Sequence, residues 1–81
     1  MVINWQDYII SDKEVLLGKP IIKGTRISVD HIIGLLAQGW SENTILENYP
    51  RLTKEDLQAV FGYIYDCIKD GLIYTTSKKS A

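Results

Sequence analysis

SVDHIIGLLAQGWSENTILENYPRLTKEDLQAVFGYIYDCIKDG, residues 28–71, is the stretch whose reading decides the fold. Ser28 is a good N-cap, and Val29, Ile32, Ile33 and Leu36 follow at the i, i+3, i+4, i+7 spacing that lays one apolar stripe along a helix. Gly39 closes that helix as the residue after its C-cap. A second helix starts at once, with Ser41 as cap, Trp40 and Ile45 as a hydrophobic staple, and Pro50 as the stop. Its inward face is Ile45, Leu46 and Tyr49. The third start is the clearest: Thr53 caps, Asp56 stands three residues on as a variant capping box, and Leu52 staples to Leu57. Leu57, Val60, Phe61, Ile64 and Ile68 are expected to share the buried face as far as Gly71, with Phe61 central enough that Phe61→Ala costs about 3–5 kcal/mol. Gly62 within this helix costs about 1 kcal/mol relative to alanine, which points to the close approach of another backbone.

Upstream, Tyr8-Ile9-Ile10, Val15-Leu16-Leu17 and Ile21-Ile22 read as short extended runs between turn residues. Runs so short must lie on the helices or pair with another chain. The expected fold is therefore mainly α: a three-helix helix-turn-helix (homeodomain-like) bundle with a short N-terminal β-arm, its helices of rising length joined by short connections. The organisation is one domain, with an arm over 1–27, the bundle over 28–74 and a disordered tail over 75–81.

Composition narrows the function. At 81 residues the chain buries one modest core, and dimerisation is an expected extra source of stability. The single Cys67 excludes an intrachain disulfide framework and a multi-cysteine zinc site, and fits the reducing cytoplasm. No targeting leader and no run long enough for a membrane span is visible. Nine Lys plus Arg against ten Asp plus Glu leave a net charge of −1, so the whole-molecule field gives no push toward nucleic acid.

Gly18-Lys19-Pro20, Gly24-Thr25-Arg26-Ile27, Gly39, Tyr49-Pro50 and Leu52-Thr53 together make the sequence resemble domain-of-unknown-function family 433, from about Tyr8 to Tyr65. The resemblance implies a homeodomain-like three-helix fold. It also implies kinship with VapB-type antitoxins that pair with PIN-like ribonuclease toxins. Leu17 departs from the family, which commonly has a second glycine before Gly18-Lys19-Pro20.

Gly18-Lys19-Pro20 is not a phosphate loop: the upstream glycine is missing and proline stands where a hydroxyl would bind metal. It reads as a turn in which Gly18 takes unusual dihedrals and Pro20 starts an edge segment. Lys19, Lys23 and Arg26, with Arg51 near them, are the one basic cluster, either solvated or in contact with phosphate or a partner. Arg26 has a further reading, a buried ion pair with Asp30 or another carboxylate. On the third helix, Lys54 and Gln58 are the residues placed to meet DNA, but Glu55 and Asp56 in the same turn favour the helix dipole and repel phosphates.

His31 has no second His or Cys at ligand spacing and reads as a surface residue. No metal, cofactor or catalytic constellation is expected, and hence no enzyme. Surplus aromatics assign Tyr63, Tyr65, Leu72, Ile73 and Tyr74 to an interface. The leading expectation is an antitoxin-like or regulatory binding module, a homodimer that holds a protein partner such as a ribonuclease toxin, with double-stranded operator DNA as a second ligand. The alternative is a stand-alone DNA-binding transcriptional regulator.

Overall fold

The computed structural model describes residues 3–71. The interface residues expected at Leu72, Ile73 and Tyr74, and the tail from Thr75, lie outside the described residues. In chain order the elements are a 3-10 turn at Trp5–Asp7, β1 (Ile9–Ser11), a turn at Leu16–Gly18, β2 (Pro20–Ile22), α1 (Val29–Ala37), α2 (Glu42–Asn48) and α3 (Lys54–Lys69). The protein is thus mainly α-helical with a small antiparallel sheet at its N-terminal end. The helices are 9, 7 and 16 residues long, so their lengths do not rise in order. Ser41 and Pro50 stand too close together to leave α2 more.

Each helix begins and ends where its local chemistry dictates. The Ser28 hydroxyl accepts from His31 N at 3.2 Å, and Ser41 accepts from Thr44 N at 3.1 Å. At the start of α3 the box closes both ways, Asp56 N donating to Thr53 Oγ1 at 3.1 Å and Thr53 N to Asp56 Oδ2 at 2.9 Å. Each such cap contributes about 1 kcal/mol. α1 ends in a Schellman motif: Gly39 has φ 96°, its N–H reaches Leu36 O at 3.0 Å, and Trp40 N reaches Leu35 O at 3.1 Å. The reversal turns the chain directly into α2.

In the arm, Ile9 pairs with Ile22 and Ile10 with Ile21. Ile9 and Ile22 reach the core, at 5% and 0% exposure, whereas on the other face Ile10 is 38% exposed and its partner Ile21 is covered, at 3%. The Gly-Thr-Arg-Ile motif is the return turn. Thr25 N donates to Ile22 O at 3.0 Å, and Gly24 takes φ 82° at the third position, where a side chain would be strained. The Thr25 hydroxyl then donates to Ile22 O at 2.8 Å and accepts from Ile27 N at 3.0 Å, locking the turn onto α1.

Val15-Leu16-Leu17 is not extended, contrary to its apolar composition. Leu16, Leu17 and Gly18 have φ of 50°, 59° and 84°, a left-handed turn closed by Gly18 N to Val15 O and Lys19 N to Leu16 O. Gly18 and Pro20 behave as the sequence implies, the first at positive φ and the second opening β2. Leu17 is 96% exposed, so nothing among the described residues packs against it to offset the strain. Left-handed backbone costs a non-glycine residue about 1–2 kcal/mol, and glycine loses about half of that to extra chain entropy. Leu17→Gly is accordingly expected to raise stability by about 0.5–1 kcal/mol in urea unfolding.

The core gathers Ile9 and Ile22 from the arm, Val29, Ile32 and Leu35 from α1, Ile45 from α2, Leu52 from the α2–α3 connection, and Leu57, Ala59 and Val60 from α3. Phe61 is not central: it is 41% exposed, and Ile68 is 55% exposed. Successive residues on a helix stand about 100° apart, which carries Phe61 off the side where Val60 is buried. The opposite flank is covered by the Trp5–Asp7 turn, which packs on α3 and draws Ala59 and Tyr63 inward. Phe61→Ala therefore costs about 1–2 kcal/mol, in line with its partial burial.

The close approach expected at Gly62 comes from a side chain and not a backbone. A Cβ there would lie 3.6 Å from Trp5 Cδ1, an ordinary contact. With that room available, Gly62→Ala is expected to stabilise the fold by up to about 1 kcal/mol through helix propensity. A lower thermal midpoint for this variant would mean that Trp5 sits tighter on α3.

Candidate partner-binding surfaces

The four cations of the arm and the α2–α3 connection do not form one strip. Lys19 is taken by Asp30, with Nζ to Oδ2 at 3.3 Å and both side chains more than half exposed. The Ser28 hydroxyl, then the Lys19 ammonium, hold the Asp30 carboxyl below its usual value. An ion pair so exposed contributes little to stability. Lys19 also borders a hollow with Leu16, Leu17 and Ser28. Lys23 stands exposed on the return turn.

Arg26 does not make the buried ion pair anticipated with Asp30 or another carboxylate. Thr25 is turned inward to close the turn and Ile27 packs on the core, so Arg26 between them is turned out. Among the described residues no carboxylate lies within ion-pairing distance of Arg26 or Arg51. The two nonetheless border one surface groove of about 490 Å³, and Arg51 Nη1 donates to Gly24 O at 3.5 Å. Ile10, Val15 and Ile21 form its apolar part and Asp12 stands at its edge. Lys54 and Gln58 border another groove with Ile3 and Glu55, of about 400 Å³.

The outer face of α3 carries the second surface. Phe61, Tyr65 and Ile68 are 41%, 65% and 55% exposed, at spacings of four and three residues that keep them on one seam. Lys69 Nζ lies 5.7 Å from the centre of the Tyr65 ring and 3.8 Å from Asp66 Oδ1. Of the residues assigned to an interface from sequence, Tyr65 lies on this seam. Tyr63 does not: its ring meets Trp5 edge-on, 4.8 Å between centroids at 76°. Burial, and after it a hydrogen bond with the Cys67 thiol, raises the Tyr63 phenol above its usual pKa. Phe61 and Ile68 were missed as surface residues because an apolar periodicity does not say which of two faces meets the core.

Trp5 was also missed. Its ring packs over Gly62 and its Nε1 donates to Asp66 Oδ2 at 2.7 Å, across 61 positions of sequence. The one trace of it in the sequence is a glycine inside a helix. His31 lies on the surface as expected, and its Nε2 is 2.9 Å from the Tyr49 hydroxyl, tying α1 to the end of α2. Among the described residues no group of three or more His, Cys, Asp or Glu could hold a metal ion, and no helix is long and apolar enough to cross a membrane.

The comparisons with known proteins agree with this architecture. The crystal structure of a DUF433 member protein from Anabaena variabilis ATCC 29413 matches with a TM-score of 0.73 and 34% sequence identity, over 80% of this chain and 64% of that one. The chain thus spans a little under two thirds of the length of that relative. No curated protein matches. The family model described as Protein of unknown function (DUF433) matches residues 9–64, more than half of the chain, and the protein belongs to that family.

Proposed function

We propose that the protein is an antitoxin-like or regulatory binding module, without catalytic activity, that works as a homodimer and holds a protein partner. The three helices are read as a helix-turn-helix-like bundle, supported by the short α1–α2 connection around Gly39. The observation that carries the reading is the seam of uncharged side chains Phe61, Tyr65 and Ile68, exposed among the described residues on the longest helix, with Lys69 over the Tyr65 ring at its edge.

A second copy of the chain is the occupant that fits this seam. The four-and-three spacing is that of helices packed side by side, and a two-fold axis doubles whatever one copy offers. The three side chains expose about 300 Å² on one copy. Doubled, that is about 600 Å², half of the about 1,200 Å² at which specific interfaces begin, so residues flanking the seam supply the remainder. On this face the Tyr65 hydroxyl is the one polar side-chain group among the three, which is little for DNA to read. The first turn of α3 further opposes a major-groove role, since it presents Glu55 and binds Asp56 into the cap.

Sedimentation equilibrium at micromolar concentration tests the reading. The expected mass is twice the 9.2 kDa of one chain, and a single 9.2 kDa species at every concentration contradicts it. A gene for a small nuclease beside this one separates the antitoxin role from that of a stand-alone DNA-binding regulator.

A further inference from the structure

We infer that the groove between Arg26 and Arg51 receives an acidic peptide segment that also carries apolar side chains, supplied by a protein partner. This rests on the reading of the chain as a partner-binding module and is independent of the seam on α3.

Arg26 precedes α1 and Arg51 precedes α3, yet the fold brings both to one groove. Neither has a carboxylate at ion-pairing distance among the described residues. The acid at the groove's edge, Asp12, already accepts from Glu14 N at 2.9 Å through Oδ1. Arg51 spends Nη1 on a long contact to Gly24 O at 3.5 Å and keeps its other donors, and exposed guanidinium groups are suited to carboxylates, which they bind through paired hydrogen bonds. The rest of the groove asks for something else. Ile10 is 38% exposed and sits beside Val15 in the apolar part, where only an apolar side chain gains by being buried.

A carboxylate and an apolar side chain a short distance apart describe a peptide. A nucleic-acid backbone would meet the arginines equally well but has nothing to place on Ile10 and Val15. It also needs cations in a row, and Lys19 borders a different hollow, where it meets Asp30. The net charge of −1 makes the positive potential local to the groove, which favours a short acidic segment over a long polyanion.

Fluorescence anisotropy tests this on the full chain, with a labelled dodecapeptide of alternating glutamate and leucine at low salt. Saturable binding is expected, weakened by about tenfold or more in the double variant Arg26→Ala with Arg51→Ala and several-fold in Ile10→Ser, and unchanged in Lys54→Ala. Should the double alanine variant lose its helical circular dichroism, Arg26→Lys with Arg51→Lys keeps the charge, removes the fork, and is expected to weaken binding several-fold. Equal binding of a peptide with glutamine in place of glutamate overturns the inference, as does no saturable binding by the folded chain, whether monomer or dimer. Displacement of the peptide by a duplex DNA that itself depends on both arginines overturns it in favour of a nucleic-acid site. Peptide binding by a chain that sediments as a monomer removes the proposed dimer and leaves the groove standing.

Discussion

Trp5→Ala is expected to lower the free energy of unfolding by about 3 kcal/mol, the lower part of the range for removing a large aromatic, because Trp5 is half-buried. Three losses combine. The edge-on contact with Tyr63 goes, the ring no longer covers Gly62, and Asp66 loses the 2.7 Å hydrogen bond from Nε1. The effect is large for the size of the domain, since 81 residues imply about 4–12 kcal/mol in all. Trp5→Phe keeps an aromatic ring without the donor and is expected to lose about 1 kcal/mol of that amount for the hydrogen bond. Urea unfolding followed by circular dichroism reads both. An alanine variant as stable as the parent would mean that the Trp5–Asp7 turn is not held on α3 in solution.

Tyr65→Lys combined with Ile68→Lys is expected to raise the dimer dissociation constant by at least about 100-fold, since residues at the centre of an interface commonly contribute about 2 kcal/mol each. Both side chains are more than half exposed in one copy, so the fold of the monomer is expected to survive. Phe61, more deeply seated, is left in place for that reason. Unchanged helical signal with a mass falling to one chain is the expected pair of results; unchanged mass places the interface elsewhere.

The helices were legible in the sequence because their limits are set within a few residues. Ser28, Ser41 and Thr53 cap by reaching three positions ahead, and Gly39 and Pro50 act on their immediate neighbours. The arm was legible where short β-branched runs stand between turn residues, at Ile9-Ile10 and Ile21-Ile22, and not at Leu16-Leu17. There an apolar pair composes like a strand and yet takes a left-handed turn. Residues distant in sequence were the ones misread. Nothing near Trp5 announces that it will cover α3, and without it Phe61 and Ile68 look as much a part of the core as Leu57. For Arg26 a buried ion pair stood beside a surface contact with phosphate or a partner. Its direction is decided instead by Thr25, whose hydroxyl closes the turn and leaves Arg26 outside, where Arg51 joins it.

The outer face of α3 as the surface of self-association is tested most directly by following backbone amide chemical shifts as the protein is diluted. Concentration-dependent shifts are expected at Phe61, Tyr65 and Ile68 and their neighbours along that seam, with the arm around Gly24 to Arg26 unmoved. Shifts confined to the arm, or none at any residue across the whole dilution, would contradict it.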